Sequence, residues 1–146
     1  MMRVYFKSFH DKSRSVQERS ETMDKKLRDI VNKILKLGGN KVLFIALFGS
    51  RAEGYFRRSS DYDIAVYYEG TKEERYKFLM SILGIINEEV DVKIFQDLPL
   101  VLKSKILSHG IMLYVRDYDL LFKVANKVRW EYEDFRHRLK LILGVK

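Results

Sequence analysis

Leu47-Phe48-Gly49-Ser50-Arg51-Ala52-Glu53-Gly54 and, shortly after it, Ser60-Asp61-Tyr62-Asp63-Ile64-Ala65-Val66 carry the deciding pattern of this chain. Val42 to Phe48 is an unbroken apolar run of strand length, as in a strand buried on both faces. It meets Gly49-Ser50 and then a short segment of helical character. N–H groups at such a helix start lack internal partners, and the helix dipole favours an anion beside them. Gly49 lets the backbone approach that anion closely, and the Ser50 hydroxyl adds a donor. The bend is therefore expected to hold a phosphate.

Asp61 and Asp63 flank Tyr62 at the start of the next apolar segment, Asp61 to Tyr68. Strand side chains alternate, so both aspartates project from one face, with Cα atoms about 6.6 Å apart. Two carboxylates so placed repel each other, and Asp is disfavoured in strands. A divalent cation between them resolves the conflict, and oxygen donors working with substrate phosphates suit Mg²⁺. Asp91, within Val90-Asp91-Val92-Lys93-Ile94-Phe95, adds a third carboxylate on another predicted strand. Such an acid either completes a two-metal site or takes the proton from an attacking hydroxyl. Each element alone has an ordinary reading: a turn, a capping Asp-x-Asp, a solvated edge residue. Their conjunction points to a site.

The remaining elements follow outward. Residues 1–14 read as a polar N-terminal arm, apart from Val4-Tyr5-Phe6, and residues 15–146 as one domain. Ser15-Val16-Gln17-Glu18 fits a capping box opening a helix with Leu27, Ile30, Val31, Ile34 and Leu35 on its apolar face. Gly38-Gly39-Asn40 ends it. Thr71-Lys72-Glu73-Glu74 is a second capping box, before a helix whose expected apolar face is Tyr76, Leu79, Met80, Leu83 and Ile86. Val90 to Phe95 is a strand, Asp97-Leu98-Pro99 an N-cap and first turn, Gly110 a helix stop and Ile111 to Val115 a last strand. From about Tyr118 the chain is helical. The order α-β-(short α)-β-α-β-α-β-α predicts a mixed α/β domain with helices covering a small sheet. In the last helix Leu121, Ala125, Val128, Tyr132, Phe135, Leu139 and Ile142 form a narrow seam at alternating spacings of four and three. It packs on the protein's own core, or it serves a second copy or a helical partner.

Composition sets the outer bounds. With 146 residues, 47% hydrophobic and 33% charged, the chain has the size and mixture of one globular domain. It has no Cys, which excludes disulfide scaffolds, thiolate zinc sites and a cysteine nucleophile. No apolar run is long enough for a membrane span, and the charged N-terminus lacks the apolar core of a signal peptide, so a soluble, cytoplasmic protein is expected. The net charge of +8 resides on the flanks: residues 1–40 carry 10 basic and 5 acidic groups, residues 116–146 carry 8 and 5, and residues 41–115 carry 10 of each. That excess steers an acidic partner or nucleic acid, or serves solubility alone. His10, His109 and His137 are scattered, Ser50 has no motif supplying a base, and Trp130 and the 9 Tyr are expected to serve core packing.

The Gly-Ser bend followed by Asp-x-Asp resembles the signature of the DNA polymerase β-like nucleotidyltransferase superfamily. Within it, the chain is most similar to the minimal nucleotidyltransferase (MNT) antitoxins, partners of HEPN-domain toxins. The likeness runs from about Val42 to Val115 and includes Leu98-Pro99, Leu107-Ser108-His109-Gly110 and Ile111-Met112-Leu113-Tyr114. It implies a polymerase β-like palm, an α/β fold with a mixed sheet and a C-terminal helix, and no room for a separate substrate-binding domain. By the same resemblance Asp61 and Asp63 hold Mg²⁺, with Asp91 as third catalytic carboxylate and metal ligand and two ions expected. Gly49, Ser50 and Arg51 bind the ATP triphosphate. Glu53 departs from the Arg that many relatives carry there, although Arg51, Arg57 and Arg58 stand nearby.

The implied activity is AMP transfer from ATP to a tyrosine of a HEPN ribonuclease toxin, which silences it. Two rivals share these residues: a binding module that neutralises a toxin by occlusion, and nucleotidyl transfer to RNA or a small hydroxyl compound. Nucleic acid is thus permitted but not required, no membrane is expected, and the last helix offers a route to self-association.

Overall fold

The computed structural model describes residues 3–4, 14–49, 62–86 and 89–144. In chain order the elements are β1 (Arg3–Val4), α1 (Arg14–Gly38), β2 (Val42–Phe48), β3 (Tyr62–Tyr68), α2 (Lys72–Leu83), β4 (Val90–Ile94), α3 (Leu100–His109), β5 (Ile111–Val115) and α4 (Tyr118–Leu143). Short 3₁₀ turns at Gly39–Lys41 and Phe95–Asp97 join α1 to β2 and follow β4. The strands form one mixed sheet in the order β1-β5-β2-β3-β4. β2 runs antiparallel to both β3 and β5, whereas β4 lies parallel to β3 and β1 parallel to β5.

The expected α/β class and the four longer strands are present. Val42–Phe48 is buried almost throughout because helices cover both of its faces. On one face Ile45, Leu47, Ile64, Val66, Val92 and Ile94 meet Leu27, Ile30 and Ile34 of α1 and Phe78 and Ile82 of α2. On the other, Phe44, Ala46, Ala65 and Met112 meet Ile106 and Leu107 of α3 and Leu121 and Val128 of α4. Truncating a fully buried residue such as Ile45 or Ile64 to Ala removes roughly 2–5 kcal/mol. Gly110 lets α3 turn sharply into β5: a Cβ there would lie 2.4 Å from the Ile106 carbonyl oxygen and 3.0 Å from that of Leu47.

Several local expectations are corrected. Thr71 and Glu74 do form the capping box of α2. Its buried face, however, is Phe78 and Ile82 with Leu79 partly covered, while Tyr76, Met80 and Leu83 are exposed. Phe78 faces the sheet because its ring stacks on Tyr68, centroids 4.1 Å apart. Asp97 does not cap α3, whose N-cap is Pro99, because its carboxylate is held by Arg75. β4 ends at Ile94, since Phe95 already belongs to the following turn. α1 opens at Arg14, one residue before the expected cap Ser15. Trp130 is 73% exposed rather than in the core.

Of the expected arm, Arg3 and Val4 pair with Ile111 and Met112, and residues 5–13 lie outside the described residues. The α4 seam divides in two. Leu121 and Val128 are buried, whereas Phe135, Leu139 and Ile142 are exposed. Among the described residues no helix is long and apolar enough to cross a membrane.

Candidate active site

One edge of the sheet collects the expected site residues that the structure describes. The register pairs Phe48 with Asp63 across the antiparallel strands and Asp63 with Asp91 across the parallel ones. Tyr62, Ile64 and Val66 face the α1–α2 core, so alternation turns Asp63 to the other face, that of α3 and α4. On β4, Val90, Val92 and Ile94 are buried while Asp91 and Lys93 are exposed. Asp63 and Asp91 therefore stand side by side on one face, on strands about 4.8 Å apart.

Gly49 joins them by a close approach. Its φ is +76°, a left-handed value that favours glycine, and a Cβ built on it would lie 2.3 Å from Asp63 Oδ2. The group pressed against this glycine is the Asp63 carboxylate, a constraint that the Gly-Ser motif alone does not disclose. The bend thus has two requirements for glycine, one torsional and one steric. Ser50, Arg51 and Asp61 lie outside the described residues, as do Glu53, Arg57, Arg58 and the short helix expected after the bend.

Adjacent carboxylates on neighbouring strands raise the energy of the folded chain. Lys93, which the sequence reading passed over, offsets part of this: its Nζ lies 3.8 Å from Asp91 Oδ2. The signal was present in the alternation of β4, which places residues two apart on one face. The pair is long and about half exposed, so its contribution is small. On the opposite face Lys26 pairs with Glu89 and sits 5.7 Å from the centre of the Tyr62 ring, which fixes the strand start from behind. Tyr62 N–H donates to the Glu89 carbonyl at 2.9 Å, which carries the β3–β4 pairing to this edge.

Among the described residues no group of three or more acidic, His or Cys side chains is arranged to hold a metal ion. The described donors are two carboxylates. An all-oxygen set of that kind, completed by a further acid or by phosphate oxygens, fits Mg²⁺ better than a softer metal.

The opposite end of the sheet contrasts with this edge. Gln96 exchanges two hydrogen bonds with the Tyr68 backbone, accepting from its N–H at 3.1 Å and donating to its carbonyl. Arg75 donates to both Asp97 oxygens, at 2.8 and 3.3 Å, and to the Gly70 carbonyl at 2.9 Å. Asp97 in turn raises the Arg75 pKa. Glu74 accepts from the Thr71 N–H and from Lys41 Nζ, and the Thr71 bond first, then Lys41, lowers its pKa to about 2.

Residues 25–119 match the family described as polymerase beta, nucleotidyltransferase. A Methanocaldococcus jannaschii protein that bears the designation protein adenylyltransferase is 32% identical over 81 residues, 56% of this chain. That match spans 62% of the relative's own length. Two solved structures are similar in fold. One is a toxin–antitoxin with AMP-PNP, 24% identical with a TM-score of 0.63, covering 80% of this chain and 94% of its own. The other is a tri-AMPylated Shewanella oneidensis HEPN toxin in complex with MNT antitoxin, 23% identical with a TM-score of 0.57, covering 80% and 95%. The family match includes β2, the Gly49 bend and the paired Asp63 and Asp91, and by it the chain belongs to the polymerase beta nucleotidyltransferase family.

Proposed function

We propose that this nucleotidyltransferase moves AMP from ATP onto a tyrosine hydroxyl of a HEPN ribonuclease toxin and so acts as its antitoxin, with Mg²⁺ as cofactor. The observation that carries the reading is the pairing of Asp63 with Asp91 beside the positive-φ bend at Gly49, inside the family segment. The designation of the jannaschii relative and the AMPylated toxin in the Shewanella complex supply the nucleotide and the acceptor class.

In this reading Asp61, Asp63 and Asp91 hold the metal, and Gly49, Ser50 and Arg51 hold the triphosphate. Bound Mg²⁺ would neutralise phosphate charge and lower the cost of the developing negative charge. The chain itself supplies position. The Gly49 backbone and Ser50 hydroxyl orient the phosphates, and the site aligns the acceptor oxygen with the α-phosphorus as the bond to pyrophosphate breaks. Asp91 is placed either to complete a two-metal set or to accept the hydroxyl proton.

Labelled ATP, Mg²⁺ and a purified HEPN-family toxin provide the test. Label should move onto the HEPN protein and vanish with Asp61→Ala plus Asp63→Ala. Undiminished labelling by that variant would refute the site. A second reading, neutralisation by binding alone, is favoured by the exposed seam of α4. It predicts that the same double variant still protects cells from the toxin.

A further inference from the structure

The exposed half of α4 lies toward the proposed site. β5 starts beside Leu47 at the site edge and ends beside Phe44. α4 then begins at the far end and returns, burying Leu121 and Val128 under the sheet. Between α3 and α4 runs a groove of about 410 Å³, lined among others by Ser104, Ser108, Arg129, Tyr132 and Arg136. α3 stops at His109, next to the site-edge end of β5, and α4 continues to Leu143. The stretch from Arg136 to Leu143 adds about 10 Å of helix beyond the groove.

Along that stretch the seam that packs the core continues without a cover. Phe135, Leu139 and Ile142 are 41, 40 and 79% exposed and keep the alternating spacing that seats a second helix. The charges beside it decide which helix. Arg129 and Arg136 have no ion-pair or hydrogen-bond partner among the described residues, and Arg138 bonds Asp134 at 3.1 Å. A second copy of this chain must lie antiparallel to keep the two domains apart. The seam then centres on His137 and sets Arg136 of each copy against Arg138 of the other.

We propose that Phe135, Leu139 and Ile142, flanked by Arg129, Arg136 and Arg138, dock an acid-flanked amphipathic helix of the protein that receives the nucleotidyl group. Docking there brings the acceptor hydroxyl to the edge that holds Asp63 and Asp91. This rests on the transfer reading above for the identity of the acceptor, but not for the existence of the surface.

The test uses the full chain and a purified HEPN-family toxin. Phe135→Asp with Leu139→Asp should weaken binding by at least 100-fold in calorimetry and abolish labelling of the HEPN protein. Its melting temperature and its stabilisation by Mg²⁺·ATP should match the parent. Trp130→Ser, on the opposite side of the helix, should leave binding unchanged. Arg136→Glu with Arg138→Glu should weaken binding about 10-fold and flatten its salt dependence. Wild-type complex formation lost in the Phe135/Leu139 variant, but without label transfer, would support the surface and remove the transfer reading. The proposal is overturned if the Phe135/Leu139 variant binds normally, or if the parent does not bind the HEPN protein. It is also overturned if that variant only converts a dimer to a monomer, or if the arginine variant loses tRNA binding alone.

Discussion

The two ends of the sheet are built on opposite electrostatic plans. At the end formed by Tyr68, Gln96 and Asp97, two pairs of opposite charge meet: Arg75 with Asp97, Lys41 with Glu74. The Tyr68 backbone is paired with a side-chain amide there. At the end formed by Gly49, Asp63 and Asp91, two like charges stand in register, and Lys93 lies 3.8 Å from Asp91. The first arrangement lowers the energy of the fold. The second sets two negative charges side by side, an arrangement suited to a cation and a polyphosphate. Stability and activity should therefore respond separately to substitutions at the two ends.

Asp63→Asn should give the largest separation. AMP transfer is expected to fall by about 10³-fold or more, while thermal stability holds or rises because one of two neighbouring negative charges is gone. A label-transfer assay and a melting curve on the same sample check both halves. Gly49→Ala comes next: the added methyl collides with Asp63 Oδ2 and the positive φ costs roughly 1–2 kcal/mol. Displacing the carboxylate should lower transfer about 100-fold, and a parent-like rate would show that the Asp63 position is unimportant.

At the other end Arg75→Ala should cost about 1 kcal/mol in a denaturant titration, with the transfer rate unchanged. A matching loss of rate would end the contrast between the two ends. The smallest effect belongs to Glu74→Gln. The Glu74 pKa is lowered from the usual 4.5 to about 2, so its stabilising contribution is complete above 4.5 and fades as the pH falls toward 2. The parent should lose stability across that window slightly more steeply than the variant, as read by melting temperature against pH.

Much of this was legible in the sequence because it is local. Val42–Phe48 declares itself by continuous apolarity, and Thr71 to Glu74 by a capping pattern that needs only neighbouring residues. The face of α2 was not legible. Tyr76, Met80 and Leu83 recur at helical spacing as well as Phe78 and Ile82 do, and only the stacking of Phe78 on Tyr68 decides between them. The α4 seam was visible, but where the core beneath it ends depends on the length of α3. At the site, the residue types of Asp63 and Asp91 stand out in the sequence. Their register does not, since it is set by parallel pairing between segments far apart in the chain. The pressure of Asp63 on Gly49 is likewise a tertiary contact.

Among the described strands β4 is the outermost on its side of the sheet, with Asp91 and Lys93 exposed along it. An uncovered strand margin invites hydrogen bonding to a neighbouring molecule, and charged side chains are a common deterrent to such growth. Asp91 is thus positioned to keep molecules dispersed whatever part it takes in chemistry. Replacing it with an apolar residue would unblock a margin prone to aggregation, and a neutral polar substitute such as Asn would expose catalytic loss without that colloidal complication.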